Sequence, residues 1–312
     1  MKAALLKAMG DWNETLYTDD NVPVPTPEDD EVLIGVKAAA FNPMDWKIAR
    51  TGFFVQSWPM ILGYDVSGVI EQLGKNVKGL AVGDEVFAMT SGGGFAEYAV
   101  APALRTLKKP SNITFAQASS LGITGRTALV TLFTDLGLNL HRINEQHKFE
   151  NEEWVLITGG ATTTGIYAVQ FARAAGYKVI TTASTKNHEY LKSLGATHVI
   201  DYTLSPETQI SHIKSIAPSL RLALDCVGPQ TSVIAASALS ATSKPVLAAI
   251  ANNHVPDDIH FPEHVEIKPL SGFAPEDLED LKKMFEVVVG EVEKGTIRSS
   301  EVEVLGGDLG EA

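Results

Sequence analysis

The fold turns on the stretch Trp154-Val-Leu-Ile-Thr-Gly-Gly-Ala-Thr-Thr-Thr-Gly165, together with Tyr177-Lys-Val-Ile-Thr-Thr182 beyond Gly176. Trp154–Thr158 is a short apolar run that predicts a buried strand. Gly165 to Ala175 predicts a helix closed by Gly176, and Tyr177–Thr182 a second strand. Downstream, Asn187–Ser193 reads as a helix closed by Gly195. Thr197–Asp201, Leu222–Val227 and Pro245–Ala251 read as further strands. Strands alternating with helices at this spacing predict a parallel, doubly wound sheet.

Between the first strand and its helix lies Gly159-Gly160-Ala161-Thr162-Thr163-Thr164-Gly165. Glycines let the main chain approach a pyrophosphate, and the helix start adds free N–H groups and partial positive charge. The G-x-G-x-x-G pattern is imperfect. Gly160 and Gly165 fit, Thr162 stands where a glycine is usual, and the hydroxyls of Thr162, Thr163 and Thr164 can donate to phosphate. The competing reading is an ordinary strand–helix turn. NAD sites usually carry an acid about 20 residues past the loop, to hold the ribose hydroxyls. Here that place reads Thr182-Ala183-Ser184-Thr185-Lys186. Ser184 and Lys186 suit a 2′-phosphate, which points to NADPH, unless Lys186 is a solvated lysine at a helix start.

Upstream, the chain is β-rich. Glu31–Ala40, Tyr64–Leu73 and Phe95–Val100 read as strand-forming runs and Val82–Phe87 as a turn feeding a strand, punctuated by Pro23, Pro25, Pro27, Gly74 and Gly92-Gly93-Gly94. That spacing predicts a partly open barrel. Thr114 to Leu136 reads as helical, and the polar Asn139–Glu153, with His141 and His147, as a surface insertion.

The 312 residues are 45% hydrophobic, enough for about two domains. Net charge is −13 with no dense Lys/Arg run, which argues against nucleic-acid and anionic-membrane partners. One cysteine, Cys226, excludes both a disulfide framework and a four-thiolate zinc site, and within an apolar strand it reads as inert. The eight histidines are each read as surface or core residues rather than metal ligands. No apolar run approaches the roughly 20 residues of a membrane span, and the opening residues are too short an apolar run for a signal peptide. The expectation is a soluble protein of the reducing cytoplasm.

Four stretches carry a resemblance: Ala39-Ala-Phe-Asn-Pro-Met-Asp-Trp-Lys47, Leu62-Gly-Tyr-Asp-Val-Ser-Gly-Val-Ile70, Gly83-Asp-Glu-Val-Phe87 and Gly94-Phe-Ala-Glu-Tyr98. In this order they resemble the quinone oxidoreductase-like branch of the medium-chain dehydrogenase/reductase superfamily. With Trp154–Gly165 and Tyr177–Ser184, the chain looks like the trans-acting enoyl reductases that partner fungal polyketide synthases. The resemblance implies an α/β protein with a GroES-like partly open β-barrel catalytic domain (1–122), a Rossmann doubly wound parallel-sheet domain (123–273) and a return to the catalytic domain (274–312). It also implies that Tyr202 joins Lys186 at the 2′-phosphate, and that Gly228 ends the strand beneath the cofactor riboses. The zinc-dependent branch carries Cys and Gly-His-Glu where this chain reads Phe41-Asn42-Pro43 and Gly63-Tyr64-Asp65. No metal is therefore expected.

Without a metal, hydride must go to an electrophile that is already activated, such as an enone or enoyl thioester. The protein then needs donors for an enolate oxygen and a proton source. Lys47 follows the segment lining the family's cleft and is the candidate cation or proton relay; otherwise it is a surface lysine. Asn42 is expected to donate to substrate or orient the ribose, or else to cap a turn. Thr124, in Gly122-Ile-Thr-Gly125, matches a nicotinamide contact of the branch. Tyr64 and Phe53, with Phe54 and Trp58, are candidates for an apolar substrate surface, with core packing as the alternative.

The expected partner is a small-molecule or carrier-protein-bound enoyl or enone substrate, with a polyketide synthase as the implied macromolecule. Monomer and homodimer both stay open. A quinone reductase, and an NADPH-binding structural or regulatory protein with little turnover, are the competing functions. Toward the C-terminus, Val265–Phe273 reads as the last sheet strand, Leu278–Lys294 as a return helix and Val302–Leu305 as a strand. The resemblance implies a further helix and closing strand, so the chain is expected to be cut short, with a genuinely shorter barrel as the alternative.

Overall fold

The computed structural model describes residues 1–140, 143, 153–242, 244–249, 259–269 and 278–305. They fall into two compact units, Met1–Ile123 with Asp277–Ala312, and Thr124–Glu276.

The first unit opens with β1 (Ala3–Leu6), α1 (Trp12–Thr15), β2 (Leu16–Asp19), β3 (Glu31–Ala40) and α2 (Pro43–Thr51). It continues through β4 (Met60–Ile61), β5 (Asp65–Leu73), β6 (Glu85–Met89), β7 (Tyr98–Pro102) and β8 (Thr106–Lys108). Two antiparallel sheets result, in the orders β2-β1-β4 and β7-β3-β5-β6-β8. Ala4 N–H on β1 donates to Phe95 O, in the turn that leads into β7, at 2.9 Å. Alternation along the strands sends Val32, Ile34, Val66, Ile70, Val86, Ala99 and Ala101 into one core.

The expected helical run from Thr114 is interrupted. α3 (Phe115–Ser119) starts at a reciprocal cap in which Thr114 and Gln117 bond each other's main chain. The Ser119 and Ser120 hydroxyls then turn back onto the Ala116 and Gln117 carbonyls, competing with the next helical turn. α4 (Gly122–Val130) begins afresh and runs into a π-helical turn, Thr131–Asp135.

The second unit carries β9 (Trp154–Thr158), α5 (Thr163–Ala174), β10 (Lys178–Ala183), α6 (His188–Ser193), β11 (His198–Asp201), α7 (Pro206–Ile216), β12 (Leu222–Asp225), α8 (Pro229–Ala238), β13 (Val246–Ala249) and β14 (Glu266–Pro269). The order is β11-β10-β9-β12-β13-β14, all pairings parallel. Numbered within this sheet, that is 3-2-1-4-5-6, whose reversal point lies between β9 and β12. The expected strand ends at 250–251 and 270–273, and most of the expected insertion (141–142 and 144–152), lie outside the described residues.

α9 (Leu278–Glu293) returns to the first unit, where Phe285 is buried with its ring 6.0 Å from that of Phe87. The expected strand Val302–Leu305 is not formed. Val304 and Leu305 are exposed, and a strand needs a ladder partner that no described residue gives them. Among the described residues, no helix is long and apolar enough to cross a membrane.

Candidate functional site

The turn after β9 is built around absent side chains. Gly159 sits at φ +72°, and a Cβ there would lie 2.4 Å from Val227 Cγ2. A Cβ on Gly160 would fall 2.0 Å from Thr181 Oγ1, and one on Gly165 2.2 Å from Gly159 O. These glycines therefore let the turn lie flat on β10 and press α5 against it. Thr162 is the N-cap of α5: its hydroxyl accepts from Gly165 N–H at 3.0 Å and donates to Gly159 O at 2.8 Å. That hydroxyl is spent on the turn, which alters its expected role as a phosphate donor. Among the described residues, the N–H groups of Ala161, Thr163 and Thr164 and the hydroxyls of Thr163 and Thr164 carry no hydrogen bond. They form an anion-binding set at a helix N-terminus. Ala161 was not singled out from the sequence, because its contribution is main-chain and no residue type announces it.

Ser184, Lys186 and Tyr202 cluster where two strands end together. Ala183 pairs with Asp201 across the β10–β11 ladder, and Tyr202 N–H donates to Ala183 O at 3.3 Å. Lys186 and the Tyr202 ring are exposed, while Ser184 is half-buried and accepts from Asn187 Nδ2 at 3.2 Å. The strand β10 has no acid at its end, but the register brings Asp201 alongside from β11. Asp201 accepts from the Thr203 main chain and hydroxyl and from Thr185 Oγ1, and these bonds hold its carboxyl below the usual range. The patch thus pairs a free cation with a carboxylate already engaged by donors.

In the first unit, the two departures from a zinc-ligand pattern face each other. Asn42 Nδ2 donates to Asp65 Oδ2 at 3.0 Å, and both residues are buried. Asn42 N–H donates to Asp45 Oδ2 at 2.7 Å, and Gly63 N–H to Asp45 Oδ1 at 3.0 Å. Ile123 N–H, at the start of α4, donates to both Asp65 oxygens at 2.9 and 3.0 Å. Burial pushes Asp45 up to about 6, against the two main-chain bonds it accepts. Burial, aided by the charge of Asp45, pushes Asp65 up to about 7 against its bonds from Asn42 and Ile123. Tyr64 is half-buried and shifted upward by burial and then by Asp45.

Asn42 is thus a fastener, its amide committed to Asp65. Thr124 sits half-buried in the first turn of α4, one residue past that anchor. Lys47 stands elsewhere, on the exposed face of α2, with Nζ 5.7 Å from the Trp46 ring centroid. Phe53 is exposed and stacks on Phe54 at 4.0 Å between centroids. Among the described residues, no group of three or more His, Cys, Asp or Glu could hold a metal ion.

At the end of β12 lies a residue whose role the sequence did not disclose. Asp225 is fully buried and takes hydrogen bonds from the Thr158, Thr231 and Ser232 hydroxyls and from the Val227 and Gly228 N–H groups. Gly228, at the N-cap of α8, is thereby fixed. Cys226 is half-buried, and burial together with the Asp225 charge keeps its thiol protonated.

Two family models match in sequence order: "Alcohol dehydrogenase GroES-like domain" over residues 28–111 and "Zinc-binding dehydrogenase" over residues 163–282. The chloroplast envelope quinone oxidoreductase homolog of Arabidopsis thaliana is 38% identical over 187 residues, 58% of this chain and 55% of that protein. The trans-enoyl reductase buaC of Petromyces alliaceus is 35% identical over 222 residues, 68% of this chain and 60% of that protein. The matched stretch thus spans less than two thirds of either relative. A mycobacterial structure solved in complex with NADPH superposes with a TM-score of 0.78 at 25% identity, over 96% of this chain and 90% of that one. Two family models in order, an open antiparallel barrel followed by a 3-2-1-4-5-6 parallel sheet, and these relatives agree: the chain belongs to the medium-chain dehydrogenase/reductase superfamily.

Proposed function

We propose that the chain is an NADPH-dependent oxidoreductase that reduces an activated carbon–carbon double bond. The observation that carries this is the second unit's crevice edge. A glycine-built turn offers the free N–H groups of Ala161, Thr163 and Thr164, and Ser184, Lys186 and Tyr202 stand together at the neighbouring strand ends. The donor set fits a dinucleotide, with main-chain groups for the pyrophosphate and a cation with hydroxyls for a 2′-phosphate. The NADPH complex of a structural neighbour supports the same reading. Bound there, the cofactor supplies hydride.

The chain's own residues then have three tasks. The α5 start holds the pyrophosphate. Lys186, Ser184 and Tyr202 select the phosphorylated ribose. Hydride arriving at a β-carbon leaves an enolate on the substrate, and a cation or donor must meet its oxygen while the α-carbon takes a proton. Lys47 and Thr124 are the proposed groups. Asn42, held by Asp65, is proposed to act by position. The trans-enoyl reductase relatives favour an enoyl thioester, including one borne by a carrier protein of a polyketide synthase. A quinone substrate is the second reading, favoured by the Arabidopsis relative. Steady-state NADPH oxidation against enoyl thioesters, enones and quinones tests both. Turnover on the first two classes is the expected result. Turnover on quinones alone installs the second reading, and none on any class, with NADPH bound, leaves a binding protein.

A further inference from the structure

Asp225 is a buried carboxylate that the proposed chemistry does not use. It sits at the carboxyl end of β12, and Thr158 at the carboxyl end of β9. These adjacent parallel strands flank the point where strand order reverses, and the register pairs the two residues directly. In sheets of this kind a ligand crevice opens outside the strand ends at that point. Asp225 Oδ1 takes the Thr158 hydroxyl, the Thr231 hydroxyl at 2.7 Å and Val227 N–H at 3.3 Å; Oδ2 takes Gly228 N–H at 3.1 Å and the Ser232 hydroxyl at 2.5 Å. One carboxylate therefore ties the residue preceding the Gly159 turn to the loop packed on that turn, where Val227 blocks any side chain at Gly159.

We infer that Asp225 is a positioning residue for the dinucleotide site: it clamps the ends of β9 and β12 at the spacing the cofactor needs, without touching the cofactor. The inference rests on the proposed nicotinamide cofactor. A carboxylate has about four acceptor sites, and the donors here fill them. The charge is thus consumed inside the fold rather than presented to an anionic ligand. An asparagine keeps one oxygen and sets an NH2 group against main-chain N–H groups that cannot rotate away, so the loop at 226–228 must shift.

The test measures NADPH affinity by fluorescence titration alongside melting temperature, for the whole chain. Asp225→Asn is expected to weaken NADPH about tenfold or more, the loss of a charge-assisted anchor. Thr158→Val, which deletes one clamp bond at nearly constant shape, is expected to weaken it in the same direction. Thr158→Ser, which keeps the hydroxyl, is expected to restore it. Ile213→Ala, which opens the core of the same unit away from the site, sets what instability alone does to affinity. Affinity loss in Asp225→Asn and Thr158→Val beyond that of Ile213→Ala, with rescue by serine, supports the clamp. Unchanged affinity in Asp225→Asn and Thr158→Val, or losses no larger than that of Ile213→Ala, overturns it while leaving the cofactor reading intact. An unmutated chain that binds no nicotinamide dinucleotide removes both.

Discussion

At the scale of single residues, the proposed cofactor preference hangs on Lys186, an exposed cation beside Ser184 and Tyr202. Lys186→Glu is expected to cost NADPH binding about 1.5–3 kcal/mol, the worth of one charge-assisted bond, and to leave NADH nearly unaffected. Parallel titrations with both cofactors check it, and equal affinities in the unmutated chain would remove the preference. Asp201 tempers the expectation: a carboxylate stands one strand over, its charge partly taken up by Thr185 and Thr203. Lys47→Ala is expected to lower turnover and spare NADPH affinity. Unchanged turnover on a good enone would return Lys47 to the role its exposed seat on α2 also fits, a surface lysine over Trp46. The glycine turn was legible because glycine and the strand–helix context announce themselves. Asp225 and Ala161 were not. One acts through a register pairing between distant residues, and the other through a main-chain N–H.

At the scale of elements, Asp45 on α2 and Asp65 on β5 form a buried carboxyl pair with Asn42 between them, Tyr64 nearby and, among the described residues, uncharged donors on their oxygens. Their folded values, about 6 and about 7, lie above the ordinary 3.8. For acids raised in this way the folded chain binds more protons than the unfolded one. Their contribution to stability is therefore greatest below about pH 4 and is lost as pH rises through about 7. Asp65→Asn removes an ionising group, so its melting temperature relative to the parent should climb between pH 5 and pH 8. Thermal melts across that window check it, and a difference that stays flat with pH contradicts the buried-charge account. The long periodic runs were legible, whereas β1, β2, β4, β8, α7 and α8 were not called from the sequence. Two expected elements depart for local reasons: the Ser119 and Ser120 hydroxyls turn back at the break after α3, and Val302–Leu305 lacks a ladder partner among the described residues.

At the scale of the molecule, a chain of net charge −13 is proposed to bind an anionic cofactor, so the attraction must be local to the second unit. NADPH at about 100 times its dissociation constant should then stabilise that unit by about 2.7 kcal/mol. Trp154 opens β9, and the other three of the chain's four tryptophans, Trp12, Trp46 and Trp58, belong to the first unit. A variant with those three replaced by phenylalanine reports the second unit alone. A melting midpoint that rises with NADPH is expected, and one that does not move counts against a cofactor site there.

The Thr158–Asp225 bond joins residues 67 positions apart. β9, β10 and β11 can zip together as neighbours, since each crossover is short, but β9 meets β12 only after a much longer loop closes. On a ribosome, the glycine turn emerges long before the strand that completes its far wall. The nascent chain would therefore carry a half-built nucleotide crevice, with the bare edge of β9 open to wrong partners, until β12 arrives and seals it.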